Sequence, residues 1–312
     1  MKILVTGGAG FIGSHLVDRL INDGHTVVVI DNLSLGRIEH VNSKAVFYKM
    51  DIRDEKLAQI FKEEQPEIVS HHAAQASVTK SMENPFLDND VNIRGTLNIL
   101  ECCRNYGVKK IIFSSTGGAV YGEPQRIPVN EQHPINPLSI YGLHKYFGEK
   151  YLYLYNENYG LQYIILRYSN VYGPRQNPNG EAGVIAIFSR QLLQGATPTI
   201  FGDGNKTRDY LYVDDVIEAN LLVMDFNKNG RIFNLGWGLE ITDKKIYYSI
   251  KEALGVNTKP IYGSKRPGEL DRIALDAMYI KKELGWQPKV ILKEGIAKTV
   301  AYYKKMLSKN EP

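Results

Sequence analysis

Short apolar runs alternate with amphipathic segments along the first half of the chain. The run KILVTG leads into a glycine-rich turn and then into SHLVDRLINDG, where apolar residues recur at helical spacing before a closing glycine. Further apolar runs follow, most of them separated by helical patterns: HTVVVIDN, AVFYKMDI, EIVSHHAA, KKIIFSST and LQYIILRYSN. Because strands that alternate with helices build right-handed βαβ units, the pattern predicts an α/β fold with a doubly wound, Rossmann-type parallel sheet.

The rhythm changes after residue 173. Gly, Pro and Asn cluster in YGPRQNPNGEAG, and short strand patterns then mix with helical ones. We therefore predict a cofactor-binding Rossmann domain at 1–173, with the chain returning to the sheet within 209–240. A smaller C-terminal α/β lobe, formed by 174–208 and 241–312, is expected to bind the substrate.

Composition narrows the class of protein. The chain has 312 residues, 43% hydrophobic and 23% charged, as is ordinary for a globular protein. The net charge of +4 is too mild to indicate a nucleic-acid partner. No apolar run reaches the length of a membrane span, and MKILVTGG does not read as a signal peptide. The adjacent Cys102 and Cys103 suit neither a disulfide nor a metal site, so we expect a reduced, cytoplasmic protein.

A dinucleotide pattern joins the first strand to the first helix. Gly7, Gly10 and Gly13 permit a tight turn and a close approach of the backbone to a pyrophosphate at the helix N-terminus. Asp31 ends the second strand, where a carboxylate accepts hydrogen bonds from a ribose 2′-OH and repels a 2′-phosphate. The turn therefore predicts NAD rather than NADP.

A tyrosine and a lysine four residues apart suggest a catalytic base. Tyr141 and Lys145 share one helix face, and an ammonium about 4 Å from a phenolate stabilises it by roughly 4 kcal/mol at a dielectric of 20. The lysine is thus expected to lower the pKa of Tyr141. Either Ser115 or Thr116, at the carboxyl end of the fifth strand, could hydrogen-bond the substrate oxygen that Tyr141 deprotonates.

Two other patterns resemble metal sites but do not predict one. Successive residues on a strand face opposite ways, so His71 and His72 are interpreted as packing residues. The segment 203–214 begins like a calcium loop, yet Arg208 stands where that loop needs glycine and Asp214 replaces the terminal glutamate. No metal is predicted.

As a set, the glycine turn, Asp31, Asp51-Ile52, Thr116, Tyr141-xxx-Lys145 and RYSNVYGP resemble the extended short-chain dehydrogenase/reductases. Within that family the chain is most similar to the NAD-dependent nucleotide-sugar epimerases and dehydratases. The resemblance implies a cofactor site formed by Gly7, Gly10, Phe11, Ile12, Gly13, Asp31, Asn32, Ser34, Gly36, Asp51, Ile52, Ala73, Ala74, Gln75, Asn92, Ser114, Tyr141, Lys145 and Tyr168. It also implies a UDP-sugar site formed by Ser115, Thr116, Asn170, Arg208, Arg266 and Glu269.

The loop after Thr116 favours one reaction of that family. Dehydratases of the family carry an Asp-Glu pair there and related decarboxylases often a glutamate, whereas this chain has Gly117, Gly118 and Ala119. The expected activity is 4-epimerisation, which interconverts UDP-glucose and UDP-galactose in galactose metabolism by removing and returning hydride at C4. The alternatives are epimerisation of UDP-glucuronate or UDP-N-acetylglucosamine, decarboxylation, or a non-catalytic cofactor-sensing role.

The family also implies a homodimer, paired through helices that match 92–106 and 141–159 here. Both segments carry apolar residues beyond the need of one core face: Leu97, Leu100, Tyr151, Leu152 and Tyr155. Finally, Ile273 stands where relatives restricted to simple hexoses tend to have tyrosine, which predicts room for an N-acetyl group on the sugar.

Overall fold

A computed structural model describes residues 1–179, 183–265 and 270–309. The strands are β1 Lys2–Thr6, β2 Thr26–Asp31, β3 Val46–Lys49, β4 Ile68–His71, β5 Lys110–Thr116, β6 Gln162–Tyr168, β7 Asn170–Tyr172, β8 Thr199–Phe201, β9 Thr207–Arg208, β10 Tyr210–Tyr212, β11 Arg231–Leu235, β12 Ile241–Thr242 and β13 Ile261–Gly263. The helices are α1 Phe11–Asn22, α2 Leu57–Glu64, α3 Val78–Glu83, α4 Pro85–Asn89, α5 Gly95–Asn105, α6 Gly117–Val120, α7 Ile140–Tyr159, α8 Val184–Leu193, α9 Val213–Met224, α10 Asp243–Leu254, α11 Met278–Leu284 and α12 Leu292–Lys309.

In the described part of the chain, seven parallel strands form one sheet in the order β11-β6-β5-β4-β1-β2-β3. The chain winds outward from β1 through β2 to β3, and then crosses back to β4 and winds the other way. The point between β1 and β4 is therefore the topological switch point, where ligands bind beyond the carboxyl ends of the strands. The predicted doubly wound, Rossmann-type α/β fold is confirmed, and so are its six predicted strands.

The apolar runs that predicted these strands are buried on both faces of the sheet. Alternate residues of β1 enter different cores: Ile3 and Val5 pack in one cluster, and Leu4 packs in the other. All three are fully buried. Helices cover both faces of a parallel sheet, which is why these strands read as nearly continuous apolar runs.

The C-terminal half returns to the main sheet within the predicted range 209–240. Strand β11 pairs with β6 at the edge of the main sheet. Strand β10, which lies in the same range, instead pairs with β7 in a separate two-stranded sheet, because β7 continues the chain of β6 after a break at Ser169. Short pairs β9–β12 and β8–β13 lie in the predicted C-terminal lobe. The exact division into two domains stays a prediction. None of the described helices could cross a membrane.

Candidate active site

The glycine-rich turn lies at the switch point and is closely packed. Gly7 has a φ of +70°, and a Cβ placed on it would lie 2.7 Å from the backbone nitrogen of Ala73. A Cβ on Gly13 would lie 2.2 Å from the carbonyl oxygen of Gly7. Side chains are therefore excluded at these positions, and no side chain caps the N–H groups at the start of α1. This arrangement fits the pyrophosphate of a dinucleotide, as the sequence predicted.

Asp31 lies beside this turn at the end of β2. Its carboxylate accepts hydrogen bonds from the backbone N–H of Ala9, at 3.0 Å, and of Leu33, at 2.8 Å. Burial raises the pKa of Asp31, and the two hydrogen bonds oppose that rise. The carboxylate is thus fixed against the turn.

The residues predicted for the adenosine end form a connected group. Asn32 donates from Nδ2 to Asp51 Oδ2 at 2.7 Å, and Arg53 donates to both carboxylate oxygens of Asp51, at 2.8 and 2.9 Å. The Arg53 guanidinium holds the pKa of Asp51 well below its usual range. Ser34 lies in the exposed loop after Asn32, and its backbone N–H donates to the Asn32 side chain.

The segment after β4 is held at the edge of the sheet by paired hydrogen bonds. Ala73 donates its N–H to the Thr6 hydroxyl at 3.1 Å. The side chain of Asn92 accepts from the N–H of Gln75 and donates to its carbonyl, both at 2.9 Å. These bonds place Ala73, Ala74 and Gln75 next to the glycine turn, on the side of the predicted catalytic residues.

Tyr141 and Thr116 meet in a cavity of about 1110 Å³. Helix α7 begins with Ser139 capping the N–H of Gly142 at 3.1 Å, which places Tyr141 in the first turn. The Thr116 side chain, at the end of β5, lies close to the Tyr141 hydroxyl and acts to lower the pKa of that phenol. The structure thus brings together two residues that lie 25 positions apart in the sequence.

Lys145 is buried one turn after Tyr141. Its Nζ donates to the carbonyl oxygen of Ser114 at 2.8 Å and lies 4.9 Å from the centre of the Phe113 ring. Burial lowers the pKa of Lys145 to about 8, although the carboxylates of Asp88 and Glu149 act to raise it.

The pKa of Tyr141 differs from the sequence-based expectation. Burial of the phenol raises this pKa, the Asp88 carboxylate raises it further, and the Thr116 side chain opposes the rise. The helical spacing correctly put Lys145 on the same face, but its ammonium is directed to the Ser114 carbonyl. In the protein without ligands, burial therefore has a larger effect on the pKa of Tyr141 than the charge of Lys145.

The two serines that precede Thr116 form hydrogen bonds with other side chains. Ser115 donates from Oγ to Glu149 Oε1 at 2.5 Å and is 3% exposed. Ser114 Oγ bonds His72 Nδ1 at 2.7 Å and the Tyr168 hydroxyl at 3.2 Å. Since Thr116 lines the cavity and Ser115 is directed away from it, the geometry favours Thr116 as the catalytic hydroxyl.

The two adjacent histidines are held separately, as a packing role requires. His71 bonds the hydroxyls of Thr6 and Thr96, at 2.6 and 3.2 Å. His72 bonds Ser114 and also Ser70, at 2.9 Å, and burial lowers its pKa to about 3. Both rings are neutral parts of the core behind the site.

The substrate end of the cavity includes Asn170 and Arg208, as predicted. Arg266 and Glu269, which were also predicted, lie outside the described residues. Other lining residues were not predicted, among them Gln176, Gln191, Phe201, Tyr210 and Asp243. No short motif marks them, because they come from loops and helices that only the fold assembles.

Ile273 is not among the described residues that line the cavity. It is 1% exposed and packs in a small core with Val120, Tyr121, Val129 and Leu275. This position does not support the prediction that Ile273 sets the room for an N-acetyl group, because an alignment without gaps fixes sequence position and not the direction of a side chain.

Known proteins resemble this chain in sequence and in fold. The sequence model of the NAD dependent epimerase/dehydratase family matches residues 3–236. The UDP-glucose 4-epimerase of Thermotoga maritima, solved with UDP-glucose, is 50% identical, covers 98% of this chain and 100% of its own, and superposes with a TM-score of 0.97. That of Thermus thermophilus, solved with NAD, is 45% identical over 97% of this chain and 99% of its own, with a TM-score of 0.93. The Mycolicibacterium smegmatis UDP-glucose 4-epimerase is 46% identical over 97% of this chain and 99% of its own.

Proposed function

The chain belongs to the NAD-dependent epimerase/dehydratase family, and we propose that it is a UDP-glucose 4-epimerase that retains NAD. The observation that carries the proposal is the hydroxyl pair of Tyr141 and Thr116 in one large cavity. This pair supplies the proton transfer that oxidation of a sugar hydroxyl needs. The relatives solved with UDP-glucose and with NAD support the same pair of ligands.

The roles of the residues follow from their positions. NAD, when bound, supplies the hydride acceptor and donor for the sugar C4. Tyr141 takes the proton of the 4-hydroxyl as C4 is oxidised and gives it back as C4 is reduced. Thr116 holds the substrate oxygen at the Tyr141 hydroxyl, and the Lys145 cation stabilises the phenolate while its charge persists.

The loop after Thr116 supports epimerisation over water loss or decarboxylation. It forms α6, and Gly118 and Ala119 line the cavity without an acidic side chain. A Cβ on Gly118 would be 3.6 Å from Asn170 Oδ1 and 3.8 Å from Thr116 Oγ1, so a methyl group there would make ordinary contact with both residues. Among the described lining residues the carboxylates are Glu83, exposed at the surface, and Asp243, paired with Lys206. Neither adjoins Thr116 in the sequence.

The ligand contacts are proposed on the same basis. The turn from Gly7 to Gly13 would hold the pyrophosphate, Asp31 the adenosine ribose, and Asn170 and Arg208 the diphosphate of the UDP-sugar. A planar guanidinium pairs well with phosphate oxygens, which suits Arg208. The cavity volume of about 1110 Å³ is slightly above the usual range for small-ligand sites, which suits a ligand as large as a nucleotide sugar.

We also propose a homodimer and a cytoplasmic location. Phe147 and Leu154 are 44% and 48% exposed and share one face of α7 with the partly buried Tyr151. Leu100 and Leu152, expected on this surface, are instead fully buried in the chain's own core. Light scattering should give a dimer mass that falls to a monomer in Leu154→Glu; a monomeric wild type would contradict this proposal. Buried, reduced Cys102 and Cys103 suit the cytoplasm.

Turnover assays on a panel of UDP-sugars test the function. Purified protein should convert UDP-galactose to UDP-glucose with no change of mass, and acid should release about one NAD per chain. Carbon dioxide from UDP-glucuronate would indicate a decarboxylase instead. Bound NAD with no turnover of any UDP-sugar would indicate a cofactor-sensing protein.

A further inference from the structure

A fully satisfied buried ion pair lies directly behind the proposed catalytic hydroxyls. Glu149 accepts from Ser115 Oγ at 2.5 Å and from Arg167 Nε at 2.9 Å on one oxygen, and from Arg167 Nη2 at 2.5 Å on the other. The Glu149 and Arg167 side chains are 2% and 3% exposed. We refer to Ser115, Glu149 and Arg167 as the Glu149 clamp.

The Glu149 clamp connects the elements that carry the reacting groups. Glu149 lies on α7 four residues after Lys145 and eight after Tyr141, so all three share one helix face. Ser115 immediately precedes Thr116 on β5, and it lies opposite Arg167 of β6 in the sheet register. The clamp therefore fixes the helix of Tyr141 to the strand of Thr116, one residue away from the threonine.

The clamp is itself anchored in the sheet. Arg167 Nη1 donates to the Tyr121 hydroxyl at 2.8 Å, and that hydroxyl donates to Asn234 Oδ1 at 2.7 Å. Asn234 belongs to β11, and its side-chain nitrogen donates to the Val129 carbonyl at 2.9 Å. The carboxylate of Glu149 consequently has a fixed position relative to β5, β6 and β11.

Stability alone is a weak reason for such an arrangement. Removing two charges from water is costly, and apolar residues of similar size often replace a buried ion pair with equal or greater stability. None of the clamp residues is among the described lining residues of the cavity, so they do not touch the substrate site directly. A role in fixing one geometry explains a buried ion pair of this kind better than stability does.

We propose that Glu149 is a positioning residue that sets the separation of the Tyr141 and Thr116 hydroxyls. The inference rests on the proposed function, in which both hydroxyls act on one substrate oxygen. Such groups must be held within about 0.5 Å of their productive geometry, and a displacement of about 1 Å can lower the rate as much as a hundredfold. The clamp acts through Thr116 and makes no contact with substrate.

Ser115→Thr and Ser115→Val form a matched pair that tests the clamp. Both variants add the same bulk, but the threonine keeps the hydroxyl that donates to Glu149 and the valine loses it. Relative to the threonine variant, the valine variant should show a kcat lower by about tenfold. Its KM for UDP-galactose and its NAD content should agree within about twofold. A difference in kcat below about twofold would overturn the proposal. If the added methyl prevents folding, Ser115→Ala compared with wild type gives the same measurement.

A double-mutant cycle distinguishes positioning from general loss of structure. In a Thr116→Val background the clamp has no hydroxyl left to position, so the difference between valine and threonine at position 115 should fall to within about twofold. The same tenfold difference in both backgrounds would show that Ser115 acts independently of Thr116, and would overturn the proposal.

Crystal structures provide a readout that needs no turnover. The separation of the Tyr141 and Thr116 hydroxyl oxygens should match that of wild type in Ser115→Thr and increase by about 0.5 Å or more in Ser115→Val. An unchanged separation in both variants would overturn the clamp. A wild type that turns over no UDP-sugar would instead contradict the proposed function, while these structures would still decide the role of Glu149.

Discussion

Gly13→Ala should weaken NAD binding by an amount that the geometry of the turn predicts. The new methyl carbon would lie 2.2 Å from the Gly7 carbonyl oxygen and 2.9 Å from the Gly8 Cα. Carbon and oxygen in contact stay about 3.3 Å apart, so one of the two groups must move by about 1 Å. Gly7 cannot move freely, because its N–H donates to the Ile30 carbonyl at 2.8 Å and its own carbonyl accepts from Gly10 at 3.0 Å.

This displacement should fall on the start of α1, whose N–H groups are proposed to bind the pyrophosphate. Overpacking of this kind costs about 1–3 kcal/mol. If that strain opposes the NAD-bound geometry, the dissociation constant for NAD should rise about 5- to 150-fold. Titration calorimetry on protein stripped of NAD measures the change directly.

Gly24→Ala is the matched control for this substitution. Gly24 has a φ of +85° and nothing lies within 4 Å of an added Cβ, so alanine there strains the backbone without touching the turn. It should lower the melting temperature and leave the NAD affinity unchanged. If Gly13→Ala bound NAD within about threefold of wild type, the turn would not be the pyrophosphate site.

Three further substitutions test the site and the core. Tyr141→Phe should lower kcat by at least about a hundredfold and leave the NAD content near normal. The control Tyr153→Phe, on the exposed side of α7, should match wild type. A smaller loss of kcat in Tyr141→Phe would rule out Tyr141 as the base. Because burial lowers the pKa of Lys145 to about 8, its charge destabilises the folded state below that pH, so Lys145→Met should be inactive yet at least as stable as wild type at pH 7. That gain, at most about 3 kcal/mol, should shrink as the pH rises from 8 toward 10.5, and urea unfolding that shows a wider gap at high pH would contradict the assignment. Ile273→Tyr should cost about 1–3 kcal/mol by overpacking and leave the preference between UDP-glucose and UDP-N-acetylglucosamine unchanged; a selective loss of the N-acetyl sugar would return Ile273 to the pocket.

Features that depend on local chemistry could be predicted from the sequence. The strands of the main sheet are dense apolar runs, and burial on both faces leaves no other role for them. The glycines of the turn from Gly7 to Gly13 could be predicted as well. Close contacts with Ala73 and with the Gly7 carbonyl exclude every other residue type there. Tyr141 and Lys145 share a helix face simply because four residues complete about one turn.

Features that depend on the direction of a side chain could not be predicted from the sequence. Spacing places Lys145 near Tyr141 but does not show that its ammonium turns to the Ser114 carbonyl. The choice between Ser115 and Thr116 depends on which side chain faces the cavity, and the hydrogen bond from Ser115 to Glu149 favours Thr116. From the sequence alone, either residue could act on a sugar hydroxyl.

Long-range electrostatic effects on the pKa values of the site could not be predicted from the sequence either. Asp88 is fully buried and bonds His144 Nδ1 at 2.6 Å and Gln75 Nε2 at 2.7 Å. Its charge raises the pKa of both Tyr141 and Lys145, although it lies 53 residues before the tyrosine. No local motif marks such a residue. Glu149, by contrast, could have been suspected, because it lies on the helix face of Tyr141 and Lys145.

Isotopic labelling at the sugar C4 tests most directly whether this chain removes hydride and returns it to the same sugar. UDP-galactose carrying deuterium at C4 is incubated with the NAD-loaded protein in ordinary water, and the UDP-glucose formed is analysed by NMR and mass spectrometry. The account predicts that UDP-glucose retains the deuterium at C4, since the label stays within the closed site between oxidation and reduction. UDP-glucose without deuterium at C4, with the label released to water, would contradict it.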